Sequence, residues 1–392
     1  MNTAVIYSKL APFHVARLQH AGKLWNERGS HLTCVEIASE QSSYGWEPSL
    51  PSSGEFTRIT IFEGRDYCGL SGREVRREIN RAFEHIDVDV MVVNGWSSTE
   101  SLAALGWCTR RGVPRVVISD SQYIDSRRRF WKEAMKRFFL AQCHSGFTGG
   151  SPHIRYLESL GFPAKHCVVG CDVIDNELFL PVLRRRLEEH VEEAPSTMEL
   201  LSCLRLLKIK NVPAVLQALS RVKIPWRWTL AGDGPERGSI LKIIRSLGLE
   251  DRVVTLGAAP YTSIGGLYDK ASVYLQPSLS ESWGLAVNEA MASGLPVLVS
   301  RQCGCHEDLV LDGVNGYTFD PRSIDDLVSA LERMWRRRDE WSEMGLQSSR
   351  IIRFWSLDLF SGSLWRACEI AAERAARRVP ARPRLAQLWR LV

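Results

Sequence analysis

The chain has 392 residues, 45% of them hydrophobic and 24% charged, enough to bury a large core and more than one core usually serves. Two domains are therefore expected. A formal net charge of +5 is modest at this length, which argues against a general polyanion-binding role, so no nucleic-acid partner is expected. The opening MNTAVIYSKLAPFHVARLQ lacks an apolar run behind a basic start, and no stretch of about 18 apolar residues occurs, so the expected location is cytoplasmic. Ten cysteines include no C-x-x-C pair; Cys303-Gly304-Cys305 comes nearest and reads better as small apolar thiols than as metal ligands.

In chain order, strand-length apolar runs alternate with helical patterns, the mark of parallel α/β layers. A strand over 4–8 is followed by a helix over 14–28 and by strands over 32–37, 88–93, 115–119, 145–148 and 167–169. These make a Rossmann-like first domain, 1–180. Between 125 and 140 a helix carries Phe130, Trp131, Ala134, Met135, Phe138 and Phe139 as one apolar stripe, with Arg127, Arg128, Arg129, Lys132, Lys136 and Arg137 crowding the other face. The favoured reading is an ordinary domain helix with that stripe buried; the alternative is contact of 126–140 with an anionic membrane surface, peripheral on its inner face. Strand periodicity lapses over 181–197, which reads as a linker. It resumes at 198–204, 227–231, 253–257, 273–276 and 296–300, giving a second Rossmann-like domain, 198–358. A helix from 359 and a tail with Pro380, Pro383 and several arginines make up 359–392, the helix a candidate to pack back on the first domain.

The densest chemical signal is Glu281-Ser-Trp283-Gly284-Leu285, with Glu289 eight positions after Glu281. A strand ends near Pro277, a loop carries Glu281, and a helix opens around Trp283 and Gly284, where free N–H groups and the helix dipole suit an anion such as a diphosphate. Four further segments accompany it: Ser202 to Asn211 with Arg205 and Lys210, the Gly232-Asp233-Gly234-Pro235 turn, Leu256-Gly257, and Asp312-Gly313-Val314-Asn315-Gly316.

In this order and spacing the motifs resemble those of retaining glycosyltransferase family 4. The resemblance implies an α/β GT-B fold, two Rossmann-like doubly wound domains facing across a cleft. It implies a transferase that moves a sugar, with retention, from a nucleotide-diphosphate-sugar donor to a hydroxyl of a glycan, lipid-linked or small-molecule acceptor. By the same resemblance Arg205 and Lys210 would hold the diphosphate, Glu281 would lie at its sugar end and Glu289 would accept from the ribose hydroxyls. Backbone around Trp283, Gly284 and Leu285, with Gly232 and Gly257, would complete the donor site. Two cations would then do the work of a divalent metal, so no cofactor is implied.

The first domain departs from the family's Gly-Gly pair after the first strand, reading Lys9-Leu10-Ala11-Pro12-Phe13-His14. In the family that pair lets backbone amides approach the donor diphosphate, and Lys9 and His14 are the candidates to take over that contact. Asn94 and Asp120, at later strand ends, are candidates for the acceptor side. A nucleotide-sugar epimerase on the same fold is the rival enzyme, and a basic polyanion-binding protein without catalysis the rival from another class.

Overall fold

The computed structural model describes residues 1–41, 54–125, 128–188, 194–258, 260 and 263–377. Among these it forms two compact units, the first from 1–121, 128–175 and 357–377, the second from 122–125 and 176–356.

The first unit is a seven-stranded sheet, all parallel, in the order β3-β2-β1-β4-β5-β6-β7. Its strands are β1 (Thr3–Tyr7), β2 (Leu32–Glu40), β3 (Thr57–Asp66), β4 (Val90–Asn94), β5 (Arg115–Ser119), β6 (Ser145–Thr148) and β7 (Cys167–Val169). Continuous runs such as AVIY, VMVV and VVI are buried on both faces, which is why they read as unbroken apolar stretches and not as alternation. The helix Leu357–Arg377 packs on the helix Pro12–Glu27 and on β6. Its Phe360 meets Phe147 at 5.3 Å, Trp365 meets Trp25 at 4.9 Å, and Ser145 donates to the Ala367 carbonyl at 2.7 Å. The last helix among the described residues therefore completes the core of the first unit.

The second unit is a six-stranded parallel sheet in the order β10-β9-β8-β11-β12-β13. Its strands are β8 (Met198–Cys203), β9 (Trp226–Ala231), β10 (Val253–Gly257), β11 (Val273–Gln276), β12 (Val297–Ser300) and β13 (Gly316–Phe319). The Asp312 to Gly316 motif is the turn into β13: Asp312 accepts from Thr318 N at 2.7 Å, and Asn315 ties Leu309 and Leu311.

The strands β3 and β13, absent from the sequence reading, are both sheet edges. The first is half-exposed and carries charges, and the second is four residues long, so neither shows a long apolar run. Within the expected linker, 181–197, residues 181–188 are helical, part of Leu180–Glu188; there Arg186 donates to the Tyr268 carbonyl at 2.6 Å. Contacts divide the chain at 175/176, ahead of the expected 180, and the final helix starts at Leu357, not 359. Residues 189–193 of that linker, residues 126 and 127 of the basic helix and the tail 378–392 lie outside the described residues.

The helix Phe130–Leu140 corrects the favoured sequence reading. Phe130, Trp131, Met135 and Phe138 are exposed, while Glu133 and Lys136 face the protein. The stripe is turned outward because Glu133 is held by Lys136 at 3.0 Å, Arg128 at 3.4 Å and the buried Tyr156 hydroxyl at 3.0 Å.

Candidate functional site

In each sheet the strand order reverses between two neighbouring strands, β1 and β4 in the first unit and β8 and β11 in the second. Loops leaving the carboxyl ends of such a pair diverge, and the opening between them is where open α/β sheets bind ligands. Both groups of candidate residues lie at these ends.

In the second unit the loop after β8 carries Arg205 and Lys210, and the loop after β11 carries Glu281. Lys210 and Glu281 form an ion pair through Glu281 Oε2. The same oxygen accepts from Gln276 Nε2 and from Ser278 Oγ, each at 3.1 Å, and Gln276 is in turn fixed by Tyr274 Oη at 2.8 Å. Gln276 and Ser278 are buried, so this carboxylate is held by groups that cannot swing away. Leu279 N also donates to the Ile209 carbonyl at 2.8 Å, which joins the two loops through backbone. Arg205 is exposed on the same loop as Lys210.

The turn after β9 closes against this loop. Leu204 N donates to the Ala231 carbonyl and Leu206 N to the Asp233 carbonyl, both at 2.9 Å, while Gly232 N donates to the Gly257 carbonyl at 2.7 Å. A Cβ on Gly232, whose φ is +141°, would sit 1.9 Å from the Leu204 carbonyl oxygen. The three segments that bear Arg205, Gly232 and Gly257 are therefore in direct backbone contact, and glycine is what allows it.

Gly284, at φ +107°, precedes the helix Leu285–Ala292. Its missing side chain leaves room for the buried thiols of Cys303 and Cys305, 3.1 and 3.6 Å from where a Cβ would stand. Trp283 does not present its ring: it is buried against Trp355 at 4.8 Å and donates to Asn288 Oδ1 at 3.0 Å, anchoring the first turn. Glu289 lies one turn further in, buried, with Tyr268 Oη donating to its Oε2 at 2.6 Å. Burial pushes the Glu289 carboxyl up to about 7, against the opposing pull of the Tyr268 hydrogen bond. Gln276, Ser278 and Tyr268 were not singled out from sequence; the signal for Gln276 was a polar side chain closing an otherwise apolar strand.

In the first unit Lys9 and His14 follow β1, Asn94 ends β4 and Asp120 follows β5, so all four stand at the carboxyl ends of adjacent strands. Lys9 is buried, whereas Asn94 and Asp120 are exposed. His14 Nδ1 accepts from Ala11 N at 3.0 Å and its ring lies 4.5 Å from Tyr7 and 4.3 Å from Phe13. Burial first, and then Arg17, hold its imidazole well below the usual histidine range, so it is neutral and closes the first turn of its helix. His153 repeats the device, accepting from Gly150 N at 2.9 Å. Asp172 stands beside Arg17 at 3.9 Å, and its carboxyl is raised by burial and by Asp120.

Residues 185–347 match the family Glycosyl transferases group 1. Among curated proteins, the chain is 30% identical over 157 residues to N-acetyl-alpha-D-glucosaminyl L-malate synthase of Bacillus anthracis, covering 40% of each. It is 30% identical over 176 residues to a sucrose synthase of Thermosynechococcus vestitus, 39% of this chain and 22% of that protein. It is 31% identical over 170 residues to D-inositol 3-phosphate glycosyltransferase of Nocardia farcinica, 41% and 38% respectively. The chain thus spans about a fifth to two fifths of these relatives. Among solved structures, sucrose-phosphate synthase from Thermosynechococcus elongatus superimposes with TM-score 0.72 at 17% identity, covering 93% of this chain and 98% of that one. The Anabaena protein HepE in complex with UDP and glucose gives 0.70 at 16%, covering 94% and 99%. The fold is GT-B, and the family match and relatives support a glycosyltransferase family for the chain.

Proposed function

We propose that the chain is a retaining glycosyltransferase of family 4 type that takes a sugar from a nucleotide-diphosphate-sugar bound at the β8/β11 opening and delivers it to a hydroxyl acceptor. The observation that carries this reading is the joining of the Arg205–Lys210 loop, the Glu281 loop and the Gly232–Gly257 contact at one sheet end. The relatives' names and the UDP bound by the Anabaena protein point the same way.

In this reading the diphosphate takes up Arg205 and Lys210 and the amides at the start of Leu285–Ala292. The ammonium of Lys210 has three hydrogens, so it can keep Glu281 and still donate to phosphate oxygens. As the bond from the anomeric carbon to the diphosphate oxygen breaks, that oxygen gains charge, and the two cations stabilise it without a metal ion. The acceptor hydroxyl oxygen forms the new bond and its proton leaves with the departing phosphate. Glu289 receives ribose hydroxyls, and the first unit addresses the acceptor, with Asn94 and Asp120 as candidates. The resulting enzyme needs no cofactor.

The test is a thermal-shift panel of nucleoside diphosphates and nucleotide sugars in the presence of a chelator. At least one diphosphate at about 100 times its Kd should raise Tm by about 5 °C. Arg205→Ala or Lys210→Ala should remove that rise. A broad panel without a single stabilising nucleotide would overturn the assignment, and turnover of the sugar on the donor alone would favour the epimerase.

A further inference from the structure

The first unit carries a surface that donor chemistry does not use. On the helix Phe130–Leu140, at about 100° per residue, Phe130, Ala134, Phe138, Trp131 and Met135 fall on one arc. Phe130 is 88% exposed, Met135 65%, Trp131 45% and Phe138 40%. Large apolar side chains gathered on one exposed face are unusual for a soluble surface and mark contact with something apolar. Lys132 and Arg137 stand at the two borders of the arc, and Arg129 precedes it; all three are exposed. The acidic residue of the helix, Glu133, points the other way and is already matched by Arg128 and Lys136. The exposed face therefore presents apolar groups and cations with no carboxylate from its own helix.

We infer that this face docks on an anionic bilayer, with Phe130, Trp131, Met135 and Phe138 at the boundary of headgroups and acyl chains and Arg129, Lys132 and Arg137 on the lipid phosphates. The charge pattern selects this occupant. A helix–helix partner would meet the apolar arc but would leave the bordering cations without counter-charge, whereas anionic headgroups answer both. The inner face fits too: the Glu133, Arg128, Lys136 and Tyr156 cluster fixes the rotation of the helix, so the apolar arc is presented without any rearrangement. None of the described helices is long and apolar enough to cross a membrane, so the contact is peripheral. The inference is independent of the proposed function.

The experiment is co-sedimentation of the full chain with vesicles of phosphatidylcholine alone and of phosphatidylcholine mixed with phosphatidylglycerol, at low and high salt. Binding should require the anionic lipid and weaken as salt rises. Phe130→Ser with Met135→Ser, and separately Arg129→Glu with Lys132→Glu, should each weaken binding about tenfold or more while Tm stays unchanged. The second pair lies on exposed positions and keeps the test valid if the first pair perturbs folding. Failure to bind anionic vesicles, or equal binding by both variants, overturns the inference. So does a dimer in sedimentation velocity that the Phe130→Ser and Met135→Ser pair dissolves, since the face would then belong to a second copy.

Discussion

At the scale of residues the informative group is Glu289, a carboxyl buried in the helix Leu285–Ala292 and raised to about 7 by that burial. Because the folded state holds the proton more tightly than the unfolded chain, the stability it contributes is full below the ordinary carboxyl value of 4.5 and is lost as pH rises through about 7. Urea unfolding at pH 5 and pH 8 should show wild type losing about 2 to 3 kcal/mol relative to Glu289→Gln, which has no proton to release. Identical pH profiles for the two would show that Glu289 is solvated in solution. Tyr268→Phe should move the same loss to higher pH, because it removes the hydroxyl that favours the ionised carboxylate. If ribose hydroxyls bind Glu289 as an acceptor, nucleotide affinity should rise over the same interval.

At the scale of elements the backbone contacts after β8, β9 and β10 decide the shape of the candidate site. Gly232→Ala would drive a Cβ into the Leu204 carbonyl at a backbone angle L side chains rarely adopt. The expected cost is about 3 kcal/mol or more, with loss of the nucleotide-induced rise in Tm. Gly238 lies exposed in the helix Arg237–Ser246 with nothing near its added Cβ, so Gly238→Ala should stabilise by up to about 1 kcal/mol. Equal effects in chemical denaturation would mean that the close approach at Gly232 is not present. The helix Phe130–Leu140 shows the converse: its amphipathic pattern is plain in the residues, but which side meets the protein depends on Tyr156 and Arg128, which come from outside it.

At the scale of the whole molecule the chain returns to its first unit through Leu357–Arg377, burying Phe360, Leu364, Ala367 and Cys368 there. A chain ending at Ser356 should leave that side of β6 and of the helix Pro12–Glu27 uncovered. We expect residues 1–175 to become protease-sensitive in it, while nucleotide still protects the second unit. Unchanged proteolysis of the first unit would show that the helix adds nothing to that core.

By itself the sequence determined the two α/β repeats, because unbroken runs such as those of β1, β4 and β5 can be buried only in a sheet covered on both faces. It also determined the five motifs around Arg205, Gly232, Gly257, Glu281 and Asp312, whose residue types and order are local properties. Only tertiary structure decided what those residues meet. Edge strands β3 and β13 draw their stability from a neighbour and so left little trace in their own composition. The helix Phe130–Leu140 took its rotation from Arg128 and Tyr156, and the Glu289 carboxyl was raised by the burial around it. Burial, partner choice and helix rotation are set by residues far apart along the chain, and no local pattern encodes them.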